Sequence, residues 1–143
     1  MAKEYKFEFD IEPVQQQRPR FARRGRFVRT YDPAKTANFK RALHQLAIEQ
    51  FSEEPLTGAI KVEIKFFRAI QKSISKKEHV KRAKNEHRPS VKPDLDNYIK
   101  SCLDALTGVF WADDNEIVDL ITGKYYSEHP HIEIKITQLE EVK

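Results

Sequence analysis

The sequence predicts one α+β domain, a small mixed fold in which a β-sheet is packed by helices. Segments that alternate apolar and charged residues, typical of strands, are interspersed with segments that repeat apolar residues at helical spacing. The length of 143 residues and the mass of 16.8 kDa fit one domain of ordinary size. We therefore expect residues 1–143 to form a single domain without repeats or an interdomain linker.

The first elements are predicted to be two strands separated by a loop. Residues 4–12, EYKFEFDIE, alternate strictly and predict a half-buried strand, which ends at Pro13. Residues 14–25 are rich in Gln, Arg, Pro and Gly and predict a loop. The segment RFVRTYD at 26–32 predicts a short second strand.

A helix and a third strand are predicted next. Asp32-Pro33 indicates a turn and a helix start, and apolar residues recur at helical spacing over 34–51. The alternation of AIKVEIKFFR predicts a strand over 59–68. Residues 71–88 are dominated by Lys, Arg and His, and they predict either a short exposed helix or a mobile loop.

The C-terminal part is predicted to contain a helix and two strands. Pro93 marks the start of a helix over 94–107, and Gly108 is a typical stop. Two further strands are expected at 116–126 and 131–137, joined by a turn.

Composition excludes several classes of protein. No apolar run approaches the roughly 20 residues that a membrane span needs, and no secretory signal is visible at the N-terminus. The single cysteine, Cys102, forms no intrachain disulfide and fits a reducing compartment. We therefore expect a cytoplasmic protein that is not embedded in a membrane.

The charge is divided unevenly along the chain. The formal net charge is +4, but residues 1–93 hold 22 basic and 11 acidic side chains, whereas residues 94–143 hold 4 basic and 11 acidic ones. The basic part predicts a polyanionic partner such as nucleic acid. The acidic part needs its own explanation, because carboxylates repel a phosphate backbone.

A cluster of arginines is the candidate DNA-binding element. Phe21 and Phe27 lie among these arginines, and aromatic rings can stack on exposed bases. A solvated loop that serves solubility is the alternative. The six candidates fall within twelve residues without an acid among them: Arg18, Arg20, Arg23, Arg24, Arg26 and Arg29.

The acidic part contains a candidate metal site. Asp96 and Lys100 are four residues apart and share a helix face, and Asp94 can turn toward that face from the N-cap region. Asp113 and Asp114 form a second acidic pair in a tight turn. Carboxylates of this kind suit Mg²⁺, which can activate water and stabilise a departing oxygen. The alternatives are an N-cap, a surface ion pair and an ordinary turn.

The segment KPDLDNYIKSCLDALTGVFWADDNEIVDL at 92–120 resembles the signature of the RusA family of Holliday-junction endonucleases, which occurs in bacteria and their prophages. The opening PVQQQRPRF is similar to the start of that family. Two departures are visible: the turn between Leu106 and Trp111 is one residue shorter, and Pro93 stands where a basic residue can occur. Lys92 is expected to make the DNA contact of that basic residue.

The resemblance implies a homodimer that cleaves two opposed strands of a four-way DNA junction with Mg²⁺, for which Mn²⁺ is a possible substitute. It places the essential acidic role on Asp94, Asp96 and Asp114 and the essential lysine on Lys100, with Asp113 as an additional candidate ligand. No small-molecule substrate is expected. Two competing hypotheses remain at this stage: a DNA-binding protein without catalysis, and a nuclease that acts on flaps or other branches.

Overall fold

The computed structural model describes residues 3–139 and confirms the predicted α+β class. Within that range the chain forms two sheets and three α-helices. The elements are β1 (Lys3–Phe9), β2 (Arg20–Arg24), β3 (Phe27–Tyr31), α1 (Ala34–Gln50), β4 (Ile60–Ala69), α2 (Lys76–Ala83), α3 (Leu95–Leu106), β5 (Ile117–Ser127) and β6 (His131–Gln138).

The main sheet has four strands in the order β1-β6-β4-β5. β6 runs antiparallel to both β1 and β4, whereas β4 and β5 are parallel. A parallel pair needs a crossover connection, and here the crossover contains α2 and α3. β5 and β6 are joined by the predicted short turn, but they do not pair with each other because β4 lies between them.

The hydrophobic core lies between one face of the sheet and the helices α1 and α3. Leu43 of α1 and Leu106 of α3 are buried in the same cluster as Ile64 and Ile134 of the sheet. Cys102 is also buried there, and desolvation raises the pKa of its thiol to about 12. The opposite face of the sheet carries charged side chains, as the strict alternation of the strand sequences requires.

The predicted loop over residues 14–25 is wrong in its second half, because residues 20–24 form β2. β2 pairs antiparallel with β3 through a two-residue turn at Gly25 and Arg26. Gly25 has a φ of +57°, a conformation that glycine adopts without strain. Every side chain of this hairpin is exposed, so its sequence lacks the alternation that identifies a half-buried strand.

Residues 71–88, for which the sequence predicts either a short exposed helix or a mobile loop, contain the helix α2. α2 is capped by Ser75, whose hydroxyl oxygen accepts a hydrogen bond of 3.1 Å from the backbone N–H of Glu78. Arg82 bonds back to Glu78 at 3.0 Å across one helical turn. Among residues 3–139, no helix is long and apolar enough to cross a membrane.

The buried indole of Trp111 provides a test of the packing just after the C-terminal end of α3. Its Nε1–H donates a 2.9 Å hydrogen bond to the hydroxyl oxygen of Thr107. Replacing Thr107 by Val leaves this buried donor unpaired, so we expect the free energy of unfolding in urea to fall by about 1–3 kcal/mol. Thr30→Val on the exposed hairpin is the matched control and should change it by less than about 0.5 kcal/mol. Equal losses in both variants would contradict this account.

Candidate functional site

Asp94 stands immediately before α3 with its side chain exposed. Its backbone has the extended conformation of an N-cap residue, with φ −66° and ψ 146°. The carboxylate nevertheless makes no capping hydrogen bond, and only the Asp94 carbonyl accepts from the helix, at 3.1 Å from the Asn97 N–H. Asp94 therefore occupies the N-cap position, but its carboxylate does not cap the helix.

Two cations of the sheet bind the backbone just before Asp94. The Lys124 ammonium donates hydrogen bonds of 2.9 Å to the carbonyl oxygens of Val91 and Pro93. The Arg68 guanidinium donates to the Lys92 carbonyl at 2.8 Å, and the Lys92–Pro93 peptide bond is cis. These contacts position the entry to α3, and with it Asp94, against the ends of β4 and β5.

Lys124 is not an ordinary surface lysine. Desolvation lowers its pKa, and the charge of Arg68 acts in the same direction, whereas the charge of Asp94 opposes the shift. Asp94 therefore lies close enough to Lys124 for the two charges to interact. Sequence analysis missed both Lys124 and Arg68, because each is an isolated basic residue in an alternating strand.

Asp96 and Lys100 occupy one exposed face of α3, one helical turn apart. The ion pairs found among residues 3–139 do not include a pair between these two side chains. The alternative of a simple surface ion pair is therefore not observed. Both side chains face solvent, where they are accessible to a bound polyanion or cation.

Asp113 and Asp114 form the predicted tight turn between α3 and β5. Asp113 accepts a 3.1 Å hydrogen bond from the Asn115 N–H, and its own N–H donates to the Glu116 carboxylate at 3.3 Å. Glu116 also accepts from the Gly58 N–H at 2.6 Å. The turn interpretation is thus correct for Asp113, while the Asp114 side chain remains exposed beside it.

The electrostatics of this turn single out Asp114. Its side-chain hydrogen bond with Asp113 raises the pKa of Asp114, and desolvation and the negative charges of Asp113 and Asp104 raise it further. The charges of two neighbouring carboxylates therefore act on Asp114 at the C-terminal end of α3. A divalent cation would relieve this repulsion.

Asp104 also connects α3 with α1. Lys40 of α1 forms ion pairs with Asp104 at 3.0 Å and with Asp32 at 2.8 Å. Desolvation lowers the pKa of Lys40, but the hydrogen bonds to the Asp32 and Asp104 carboxylates outweigh this effect, so that the pKa of Lys40 is raised. The hydrogen bond from Lys40 correspondingly lowers the pKa of Asp32. Lys40 and Asp104 therefore join the two helices, and Asp32 holds Lys40 from the segment before α1.

The glutamine-rich segment before the hairpin is fastened to α3. The Ser101 hydroxyl donates a 2.6 Å hydrogen bond to the Val14 carbonyl, and the Gln16 N–H donates a 2.8 Å bond to the Asn97 carbonyl. The Gln16 side chain donates to Asp32 at 2.9 Å. The chain that leads into the arginine hairpin thus runs along the helix that carries Asp94 and Asp96.

The arginine hairpin, β2 with β3, presents cations and aromatic rings on both faces. Opposed residues share a face, so Phe27 lies beside Arg24, while Phe21 lies on the other face. Phe21 is 72% exposed and Phe27 81% exposed, and the hairpin has little to pack against. All six predicted arginines are exposed: Arg18, Arg20, Arg23, Arg24, Arg26 and Arg29.

The candidate aspartates fall into two groups within one copy of the chain. Asp94 and Asp96 lie at the start of α3, whereas Asp114 lies near Asp104 at the other end of the helix. Asp104 follows Asp94 by ten residues, which corresponds to roughly 15 Å along the helix axis. Within residues 3–139, the one group of three possible ligand atoms that all lie within 4.8 Å of one another is Glu8, His131 and Glu133, on the opposite face of the sheet.

The pKa of Asp114 gives a test of the turn. Replacing Asp113 by Asn removes a neighbouring charge and the carboxyl partner of the hydrogen bond, so we expect the pKa of Asp114 to fall. Because its pKa is raised in the folded state, Asp114 contributes to the free energy of unfolding at low pH, and this contribution is lost as the pH rises through the raised pKa. In the variant, the contribution of Asp114 to the free energy of unfolding should no longer depend on pH in this way. Carboxyl NMR titration measures it. An unchanged or higher pKa would contradict the interaction, and Asp119→Asn is the control.

Comparison with known proteins agrees with the resemblance seen in the sequence. Residues 10–137 match the family model described as Endodeoxyribonuclease RusA. The chain is also 40% identical over 136 residues to the uncharacterized protein YqaN of Bacillus subtilis (strain 168), with 94% of this chain and 96% of that protein covered. The matched region includes α3, the following turn and the arginine hairpin. The chain therefore belongs to the RusA family of endodeoxyribonucleases.

Proposed function

We propose that this protein is a Mg²⁺-dependent endonuclease that resolves four-way DNA junctions by paired symmetric nicks, during recombination and repair in the cytoplasm. One observation supports this most strongly. In a chain of the RusA family, exposed Asp94 stands at the start of α3 and exposed Asp96 and Lys100 lie on it, and the segment leading into the arginine hairpin is hydrogen-bonded to this helix. The proposed catalytic residues and the segment that leads into the proposed phosphate-binding hairpin therefore contact the same helix.

The exposed carboxylates fit a magnesium ion by their chemistry. Mg²⁺ prefers oxygen ligands and is commonly held by one or two carboxylates together with substrate phosphates and water. Asp94 and Asp96 would hold such an ion at the start of α3. Asp114, with Asp113 as an additional candidate ligand, would supply carboxylates from the turn at the other end of that helix. When bound, the ion supplies an activated water and stabilises the departing 3′ oxygen. Mn²⁺ offers the same charge and is expected to substitute.

Lys100 is proposed to act on the reacting phosphate. Its side chain is exposed one helical turn after Asp96 and is not consumed in an ion pair with it. An ammonium group at this position can stabilise the negative charge that develops on the phosphoryl oxygens, or orient the attacking water. Positioning of Asp94 depends on Lys124, which holds the backbone that precedes it.

DNA is proposed to bind across the hairpin toward α3. Arginine forks bind phosphate bidentately and hold the duplex, while Phe21 and Phe27 can stack on bases that the branch point exposes. Lys92 is exposed two residues before Asp94 and would contact phosphate near the cut. A four-way junction has pairs of equivalent strands, so a homodimer with two equal sites matches the symmetry of the substrate.

Two other functions would use the same surface. A DNA-binding protein without catalysis would need the hairpin but not the set formed by Asp94, Asp96, Lys100 and Asp114. A nuclease acting on flaps or other branches would use the same chemistry on a different shape of DNA. The family match favours nuclease chemistry over binding alone.

The first experiment tests the catalytic assignment. Asp94→Asn, Asp96→Asn and Asp114→Asn should each abolish cleavage of a labelled four-way junction in Mg²⁺, because each removes a negative charge that the reaction needs. Binding of the junction in a gel-shift assay should persist. Asp119→Asn, an exposed aspartate of β5, is the control and should cleave normally. Full activity in any of the three variants would refute the role of that residue.

A second experiment tests the hairpin through the salt dependence of binding. Replacing Arg20, Arg24 and Arg29 together by Gln removes up to three phosphate contacts. The slope of log affinity against log salt should become shallower by about 2–3, since each duplex contact contributes about 0.9.

The matched control replaces three lysines of the open sheet face, Lys6, Lys61 and Lys65, by Gln. This variant loses the same charge and should keep the slope of the unmodified protein. A larger change in the control than in the hairpin variant would place the DNA on the sheet face instead.

A further inference from the structure

Glu8, His131 and Glu133 form a cluster on the open face of the main sheet, the face opposite α1 and α3. One ligand atom from each of the three side chains lies within 4.8 Å of the other two. The His131 Nε2 lies 2.8 Å from a carboxylate oxygen of Glu133 and 3.7 Å from one of Glu8. The cluster is built from β1 and β6 alone, so it is separate from the candidate residues of α3 and the following turn.

The strand register forces the two glutamates of the cluster together. Glu8 of β1 lies directly opposite Glu133 of β6. Opposed side chains of an antiparallel pair have their Cβ atoms about 4.5–5.5 Å apart, and like charges at such positions are destabilising. Glu63 on the same face is paired with Lys135 at 3.7 Å. Among the ion pairs of residues 3–139, in contrast, His131 is the one cationic partner of Glu8 and of Glu133.

The His131 ring is held in one orientation, with Nε2 toward the carboxylates. It stacks on Phe67, the opposed residue of β4, with the ring centroids 4.1 Å apart and an interplanar angle of 9°. Its Nδ1 lies 2.8 Å from the His129 carbonyl oxygen, which can only accept, so Nδ1 carries a proton. In the neutral ring the lone pair is therefore on Nε2. A backbone carbonyl that fixes the tautomer in this way is a common partner of metal-binding histidines.

A protonated imidazole ring would satisfy the cluster only in part. It would donate from Nε2 to Glu133, but the Glu8 oxygen at 3.7 Å is beyond hydrogen-bond distance, and one positive charge would face two carboxylates. A bound zinc ion places its ligand atoms about 3–4 Å apart. The exposed Glu8 side chain can close the remaining distance by rotation, so one divalent ion could contact all three side chains.

We propose that Glu8, His131 and Glu133 bind a divalent transition-metal ion of the Zn²⁺ type and thereby tie the edge strand β1 to β6. An imidazole nitrogen suits Zn²⁺, whereas Mg²⁺ and Ca²⁺ prefer oxygen ligands. Three protein ligands leave a fourth position for water, and an open groove of about 510 Å³ along this face, lined by Glu8 and Glu133, has room for it. The inference does not rest on the proposed function, because none of the three residues is assigned to DNA binding or cleavage.

Isothermal titration calorimetry of the full chain with ZnCl₂ tests this site, in an excess of Mg²⁺ that occupies sites made of oxygen alone. The unmodified protein should bind one Zn²⁺ per chain. Glu8→Gln, His131→Gln and Glu133→Gln should each weaken binding at least about tenfold, since even the loss of a group that only supports a ligand has an effect of that size. Glu128→Gln removes the carboxylate of a two-residue pair with His79 and is the matched control, which should bind Zn²⁺ like the unmodified protein. If the unmodified protein bound no Zn²⁺, or if the Glu128 and Glu133 variants bound it equally, the proposal would be overturned.

Thermal unfolding distinguishes this ion from one held at α3. A ligand that binds only the folded protein raises the midpoint of unfolding. In the same excess of Mg²⁺, Zn²⁺ should raise the midpoint equally in the unmodified protein and in Asp96→Asn, and should not raise it in Glu133→Gln. An undiminished rise in Glu133→Gln, or loss of the rise in Asp96→Asn, would place the ion elsewhere and overturn the proposal. Neither measurement involves DNA, so a chain that binds Zn²⁺ here but cuts no junction would refute the proposed function alone.

Discussion

The candidate site depends on the burial of one face of α3 between the sheet and α1. Tyr98, Cys102 and Leu106 enter the core from that face, and the ring of Tyr98 stacks on Phe66 of β4 at 5.3 Å. Helical periodicity then leaves Asp96 and Lys100 on the exposed face. The same packing places Asp94 at the end of β4 and β5, where Arg68 and Lys124 hold the preceding backbone. The placement of the candidate residues therefore follows from core packing.

The division of charge along the chain is also a division in space. Five of the six arginines lie on the hairpin, which contributes little to the core. The candidate carboxylates lie at α3 and in the turn after it: Asp94, Asp96, Asp104, Asp113 and Asp114. Lys40 compensates Asp104 and Asp32, but Asp113 and Asp114 remain close enough to raise the pKa of Asp114. The net charge of +4 therefore conceals a basic hairpin and a local group of carboxylates at α3, an arrangement that fits the proposed metal-dependent cleavage of DNA.

Most of the fold could be predicted because half-buried strands and amphipathic helices carry their period in the sequence. The alternation at 59–68 and the helical spacing at 94–107 correspond closely to β4 and α3. β2 could not be predicted, because both of its faces are exposed and no period results. The strand order could not be predicted either, because β4 lies between β5 and β6, two strands that a short turn connects.

The positions of the candidate aspartates at the start of α3 and in the following turn could be predicted, but the contacts that support them could not. Their role in catalysis stays a prediction. The spacing of Asp94, Asp96 and Lys100 identifies a helix start with an acidic face, whereas Lys124 and Arg68 act through backbone carbonyls that no side-chain motif records. The separation of Asp114 from Asp94 within one copy follows from the length of α3 and the position of the turn. Such long-range relations depend on tertiary packing.

The central claim is that this protein cuts four-way junctions with the help of a divalent cation. The most direct measurement incubates the purified chain with labelled four-way junction, flap and linear duplex of related sequence, in Mg²⁺ or in EDTA. The account predicts symmetric nicks in the junction, in Mg²⁺ and not in EDTA, with little cutting of the other two substrates. Preferential cutting of the linear duplex or the flap, or cutting that persists in EDTA, would contradict it.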